Sequence, residues 1–64
     1  MTVNIKGLGK ITANKEVLNW LSITLQEASY SFERQKNGFA KTCEEQAHEI
    51  FVELDKTGYY DSVK

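Results

Sequence analysis

Val3 and Ile5 alternate with Thr2, Asn4 and Lys6, the two-residue period of a strand with one buried face. So short a strand needs a neighbour, either a return strand at Lys10 to Thr12 or the same strand of a second chain. Gly7 and Gly9 lie between the two segments and read as a turn. The period then changes. Asn14 is placed to cap a helix whose first turn holds Glu16, where negative charge is favoured. Val17, Leu18, Leu21, Leu25, Ala28 and Phe32 share one face at helical spacing, with no proline or glycine before Lys36.

Asn37-Gly38 is the natural stop for that helix, and basic residues precede it. A second apolar series follows through Ala40, Cys43, Ala47, Ile50 and Leu54, flanked by Phe39 and Phe51. Thr42 and Glu45 fit a capping box, so this helix begins at 39 or only at 43, and Thr57-Gly58 ends it. The predicted organisation is one domain over 1–64: an extended segment and turn over 1–13, helices over 14–36 and 39–57, and a tail over 58–64 that folds back or hangs free. The fold class is mainly α, a two-helix antiparallel hairpin with a short N-terminal extended or β segment. A rival is one continuous helix of about 40 residues, since Gly38 inside it would cost only about 1 kcal/mol.

The first helix carries a second stripe. Trp20, Ile23, Glu27, Tyr30 and Arg34 step by three or four residues on the side opposite Leu21, Leu25 and Phe32. A helix in a simple hairpin needs one apolar face, and this one has two. Either the strand or the C-terminal tyrosines cover the stripe within the chain, or it meets a subunit or partner. Tryptophan, tyrosine and arginine are the residue types that anchor such interfaces. Tyr59 and Tyr60 are the next interface candidates. The outer face of the second helix, with Lys41, Glu45, His48, Glu49, Val52 and Lys56, reads as a solvated surface.

Size sharpens the choice. A domain of 64 residues buries only about 60% of the surface of its unfolded chain and is marginal alone. Small domains recruit disulfides, metals or partner chains. One cysteine cannot close an internal disulfide, and Cys43 suits a reducing, cytoplasmic setting. Self-association remains, and two hairpins assembled into a dimeric four-helix bundle would bury both stripes. The formal net charge of -1 gives no electrostatic reason to expect nucleic acid or an anionic membrane. No apolar run approaches a membrane span, no signal core opens the chain, and the first helix lacks the basic polar face of a membrane-surface helix.

Candidate chemistry changes little. Gly7-Leu8-Gly9-Lys10-Ile11 has the wrong glycine spacing and no Ser or Thr after the lysine for a phosphate loop, and no Rossmann unit fits. A nucleotide is therefore not expected. Glu45-x-x-His48 has di-metal spacing, and Glu44 pairs with His48 at four residues, but both point away from the apolar series. Cys43 lies on that apolar face, where a thiol is usually a small buried hydrophobe. Nothing places a third group behind His48. The expectation is a non-enzyme with no metal or other cofactor.

The order strand, helix, Asn-Gly, helix over residues 2 to 56 resembles the ribbon-helix-helix repressors, in which strands paired across a dimer enter the major groove. That resemblance implies Thr2, Asn4 and Lys6 on the base-reading side, with Lys10, Lys15 and Asn14 near phosphate. The chain departs from the pattern in a first helix about twice the family's length, in its net negative charge and in its early glycines. Three roles follow, in order of fit. The first is a self-associating protein-binding regulator, the second a dimeric DNA-binding regulator, and the third a purely structural helical protein.

Overall fold

The structure is a computed structural model and describes residues 1–62, without the side chain of Ser62. Val63 and Lys64, the last two residues of the expected tail, lie outside the described residues. Two strands, β1 (Thr2–Ile5) and β2 (Gly9–Thr12), precede the helices α1 (Lys15–Arg34), α2 (Phe39–Lys56) and α3 (Tyr59–Ser62). The molecule is mainly helical with a short N-terminal hairpin.

The alternation in β1 turns Val3 and Ile5 inward and leaves Thr2 and Asn4 in solvent. β1 pairs antiparallel with β2, Val3 opposite Ile11 and Ile5 opposite Gly9. The return strand is therefore the one within the chain. Leu8 N–H donates to the Ile5 carbonyl at 3.0 Å, and Gly7 occupies the third turn position at φ +87°. A type II turn requires a positive φ there, which glycine adopts without steric cost. Gly9, also at positive φ (+83°), opens β2. The glycines form the turn.

Asn14 caps α1 as expected, its Oδ1 accepting from Val17 N–H at 2.8 Å. The other end departs from expectation. α1 stops at Arg34, and Lys36 takes the left-handed conformation at φ +56°. Asn37 N–H then donates to the Phe32 carbonyl and Lys36 N–H to that of Glu33. This is the Schellman arrangement, in which a residue usually glycine turns the chain out of the helix. Here a lysine does so, and Gly38 stands at φ -62° as N-cap of α2. The continuous helix is overturned. So is the capping box: α2 begins at Phe39, whose N–H donates to Asn37 Oδ1 at 3.0 Å, and Thr42 lies inside the helix.

The rings of Phe32 and Phe39 lie 6.2 Å apart at the turn, and the Tyr60 hydroxyl meets Asn19 near the other end. The helices thus run antiparallel. Their open end is closed by the hairpin and α3. Val3, Ile5, Leu18, Ile50 and Leu54 form the buried cluster, with Met1, Ile11, Leu21, Leu25, Tyr59 and Tyr60 packed around it.

Between the helices the expected face of α1 is rotated and partly polar. Val17 is exposed, while Ser22 and Ser29 are buried, as Leu18 is. Each serine hydroxyl donates to a backbone carbonyl three residues earlier, Asn19 or Gln26, at 2.6 Å. Both hydroxyls are therefore satisfied inside their own helix and enter the interior without an orphaned polar group. Gln46 is the third buried polar residue. Its Nε2 donates to the Lys6 carbonyl at 3.1 Å, while Glu49 Oε2 accepts from Lys6 N–H at 2.9 Å. Two side chains of α2 thus grip both backbone groups of one turn residue, Lys6. A Cβ at Gly7 would lie 3.5 Å from the Gln46 amide, so this turn residue also passes close to the helix.

Candidate protein-interaction surface

Along the side of α1 turned away from α2, Trp20 is 71% exposed, Tyr30 53% and Ile23 41%, and Val17 flanks them at 46%. Glu16, Glu27 and Arg34 on the same side are exposed as well. Helical geometry dictates this grouping. Residues 16, 20, 23, 27, 30 and 34 recur every three or four positions, and so do Leu18, Ser22, Leu25, Ser29 and Phe32 on the other side. The second set packs on α2 and leaves the first facing solvent. Coverage of the stripe within the chain is therefore overturned. Among the described residues, neither the hairpin nor α3 closes over it.

The reason lies in where those elements go. The hairpin lays Val3 and Ile5 on the buried cluster and is held by Gln46 and Glu49 of α2. α3 folds back, and its tyrosines are half-buried against the same cluster. The rings of Tyr59 and Tyr60 meet edge to face at 5.3 Å, and Phe51 lies 6.1 Å from Tyr60. The Tyr60 hydroxyl donates to Asn19 Oδ1 at 3.0 Å. Tyr59 and Tyr60, the next interface candidates, lie half-buried as packing for the helix ends. Burial pushes the Tyr60 hydroxyl pKa up, with a smaller push from Tyr59; a hydrogen bond with Ser22 opposes these, and Asp55 raises it a little further.

Within the stripe, Gln26 at its edge donates from Nε2 to the Tyr30 hydroxyl at 3.2 Å. This contact between exposed side chains orients the phenol along the helix. Isolated exposed apolar residues are ordinary, but a tryptophan, a tyrosine, an isoleucine and a valine on one helical face form a contiguous amphipathic surface. Indole and phenol offer large, stiff contact area with a polar handle. Such a surface is consistent with protein interaction, which needs no pocket.

The residues compared with the DNA-binding repressors take other positions. Thr2, Asn4, Lys6, Lys10 and Lys15 are all exposed, but the partner of β1 is the chain's own β2, and the Thr2 and Thr12 hydroxyls meet across that pair at 2.8 Å. In a ribbon formed between chains, β1 would instead face a second β1. Asn14 Oδ1 is engaged in capping.

On α2, Glu44, Glu45 and His48 are exposed and line an open groove of about 680 Å³ with Lys6 and Lys41. Its charges are mixed and its walls do not enclose a volume from which water is excluded. Cys43 is half-buried with a free thiol. Among the described residues, no helix is long and apolar enough to cross a membrane. The chain matches no protein-family model, no curated protein and no solved structure.

Proposed function

We propose that this chain is a small non-enzymatic accessory or regulatory protein that works by binding protein through the outer face of α1. The observation that carries this is the 71% exposure of Trp20, aligned with Ile23 and Tyr30 on a helix whose opposite face already holds the fold together. Trp and Tyr are enriched where truncation most weakens interfaces, and Arg34 at the end of the stripe is the third such residue type. Large apolar surface left in water is unfavourable at about 25 cal/mol per Å², so a bound state that removes it is stabilised. Self-association is part of the reading, because a chain of this size gains stability from assembly.

A photo-activatable residue at position 20 tests this inside the producing cell, with the same residue at Lys41 on α2 as the control. Position 20 is expected to yield discrete protein adducts that position 41 does not. Equal yields from both would overturn the assignment of α1 as the binding face.

A further inference from the structure

The exposed stripe is complementary to itself in one orientation. Its residues are Glu16, Trp20, Ile23, Glu27, Tyr30 and Arg34, spaced by four, three, four, three and four. That spacing is the seam of a coiled coil, with alternate positions entering a facing helix. In a parallel symmetric pair, each residue meets itself, setting Glu16 on Glu16, Glu27 on Glu27 and Arg34 on Arg34. An antiparallel pair centred on residue 27 also opposes the two copies of Glu27. Centred at the level of residue 25, every layer changes. Glu16 then faces the second copy's Arg34, Trp20 faces its Tyr30, and Ile23 meets the stem of its Glu27. The two-fold axis repeats each pair, so all six positions are matched over the length of α1.

We infer that the outer face of α1 is closed by α1 of a second copy of this chain, antiparallel, with the two-fold axis at the level of residue 25. This rests on α1 being a protein-binding face and adds its occupant. Charge selects the register: opposite charges meet at both ends, and like charges meet nowhere along the seam. The flanking positions add no conflict: Val17, Thr24, Ser31, Asn19 and Gln26 carry no charge, and Glu33, which does, lies at the level of the second copy's uncharged Val17. Because the stripe lies opposite the α2 side, the dimer is a row of four helices, α2-α1-α1-α2, and differs from a closed four-helix bundle.

The test is solution mass by light scattering over a hundredfold concentration range, for wild type, Glu16→Arg, Arg34→Glu, the double reversal and Trp20→Ala, with helicity followed by circular dichroism. Wild type is expected at twice the 7.3 kDa chain mass. Each single reversal makes two symmetric attractions repulsive and is expected to raise the dissociation constant about tenfold. The double reversal restores the dimer. A purely structural effect would do the opposite, because both reversals oppose the helix dipole and their damage would accumulate. A monomer at every concentration overturns the proposal, as does a double variant weaker than either single. A dimer lost in Trp20→Ala but indifferent to the reversals overturns this register and leaves α1 as the binding face. A dimer indifferent to all four variants overturns both. With a monomer, cross-linking from position 20 decides the protein-binding reading independently.

Discussion

On the side of α1 that meets α2, the buried residues are Leu18 and two serines; on the other side, the chain's only tryptophan stands 71% exposed. Hydrophobicity alone would have exchanged them. The inner face is governed by how near two helices come. Ser22 and Ser29 alternate with Leu18, Leu25 and Phe32, and α2 brings Ala40, Cys43 and Ala47 before Ile50 and Leu54. Small residues on both helices allow close approach through the middle, since interaxial distance follows the side chains at the contact. The large aliphatic residues gather at one end, where the hairpin supplies Val3 and Ile5 to meet them. An indole has no room in the first zone and is not needed in the second.

The contrast breaks most severely at Leu18, which is fully buried. Leu18→Ala leaves a cavity under the hairpin and is expected to cost about 2–5 kcal/mol. For a chain this small that equals much of its total stability. Circular dichroism in urea checks it: the variant should be largely unfolded in buffer. A transition close to that of wild type would mean the buried cluster does not hold the helices.

Ser22 asks whether the inner face is short of space or merely polar by chance. Ser22→Leu inserts three carbons where the helices approach, and overpacking of that kind costs about 1–3 kcal/mol. Ser22→Ala is expected to cost less, about 1 kcal/mol or under, because it removes the hydroxyl's bonds to the Asn19 carbonyl and to Tyr60 but adds no bulk, and alanine favours the helix. If leucine stabilised the protein, the close-approach explanation would fail.

How far the two faces were legible in sequence divides along the same line. The outer stripe, the Asn14 cap, the glycine turn and the break between the helices all announce themselves through local spacing. Ser22, Ser29 and Gln46 do not. A serine within a helical period looks solvent-facing, and only the opposing helix decides otherwise. The grip of Gln46 and Glu49 on Lys6 joins residues 40 and 43 apart in sequence, and no short-range pattern records it. Tyr59 and Tyr60 show a related limit: two adjacent tyrosines in a tail suit an interface or a core edge equally, until the chain's return path is known. At Lys36 the sequence pointed instead to Asn37-Gly38, because a lysine seldom adopts a left-handed φ.

That lysine gives the next prediction. A left-handed L-residue costs about 1–2 kcal/mol, part of which glycine returns as unfolded-state entropy. Lys36→Gly should stabilise the protein by about 1 kcal/mol and raise its urea midpoint without altering the slope. A loss of stability would mean the lysine side chain contributes something the backbone geometry does not reveal.

A narrower effect belongs to Tyr60, which bridges α3 to the edge of α1. Its pKa is raised in the folded chain by burial, so just above its unfolded value the native state retains a proton that the unfolded state has released. Stability from this group is complete below about pH 10 and falls as pH rises through the folded pKa. Tyr60→Phe should show less alkaline destabilisation than wild type in urea melts taken between neutral pH and pH 11. An identical alkaline slope would assign the loss to other groups.

The smallest effect on the fold is expected at the largest side chain. Trp20 touches nothing that holds α1 to α2, so in dilute solution Trp20→Ala should change stability by no more than about 0.5 kcal/mol, the range of ordinary surface substitutions. Concentration separates the fold from the assembly. Where folded chains associate and unfolded ones do not, the melting temperature climbs with protein concentration by mass action. Wild type should show that climb and Trp20→Ala should lose it, the two curves converging at low concentration. A Trp20→Ala chain already weakened at high dilution would place the indole within the fold itself. The two faces of α1 would then be a single core wrapped around the helix, and the stripe would no longer be free to bind.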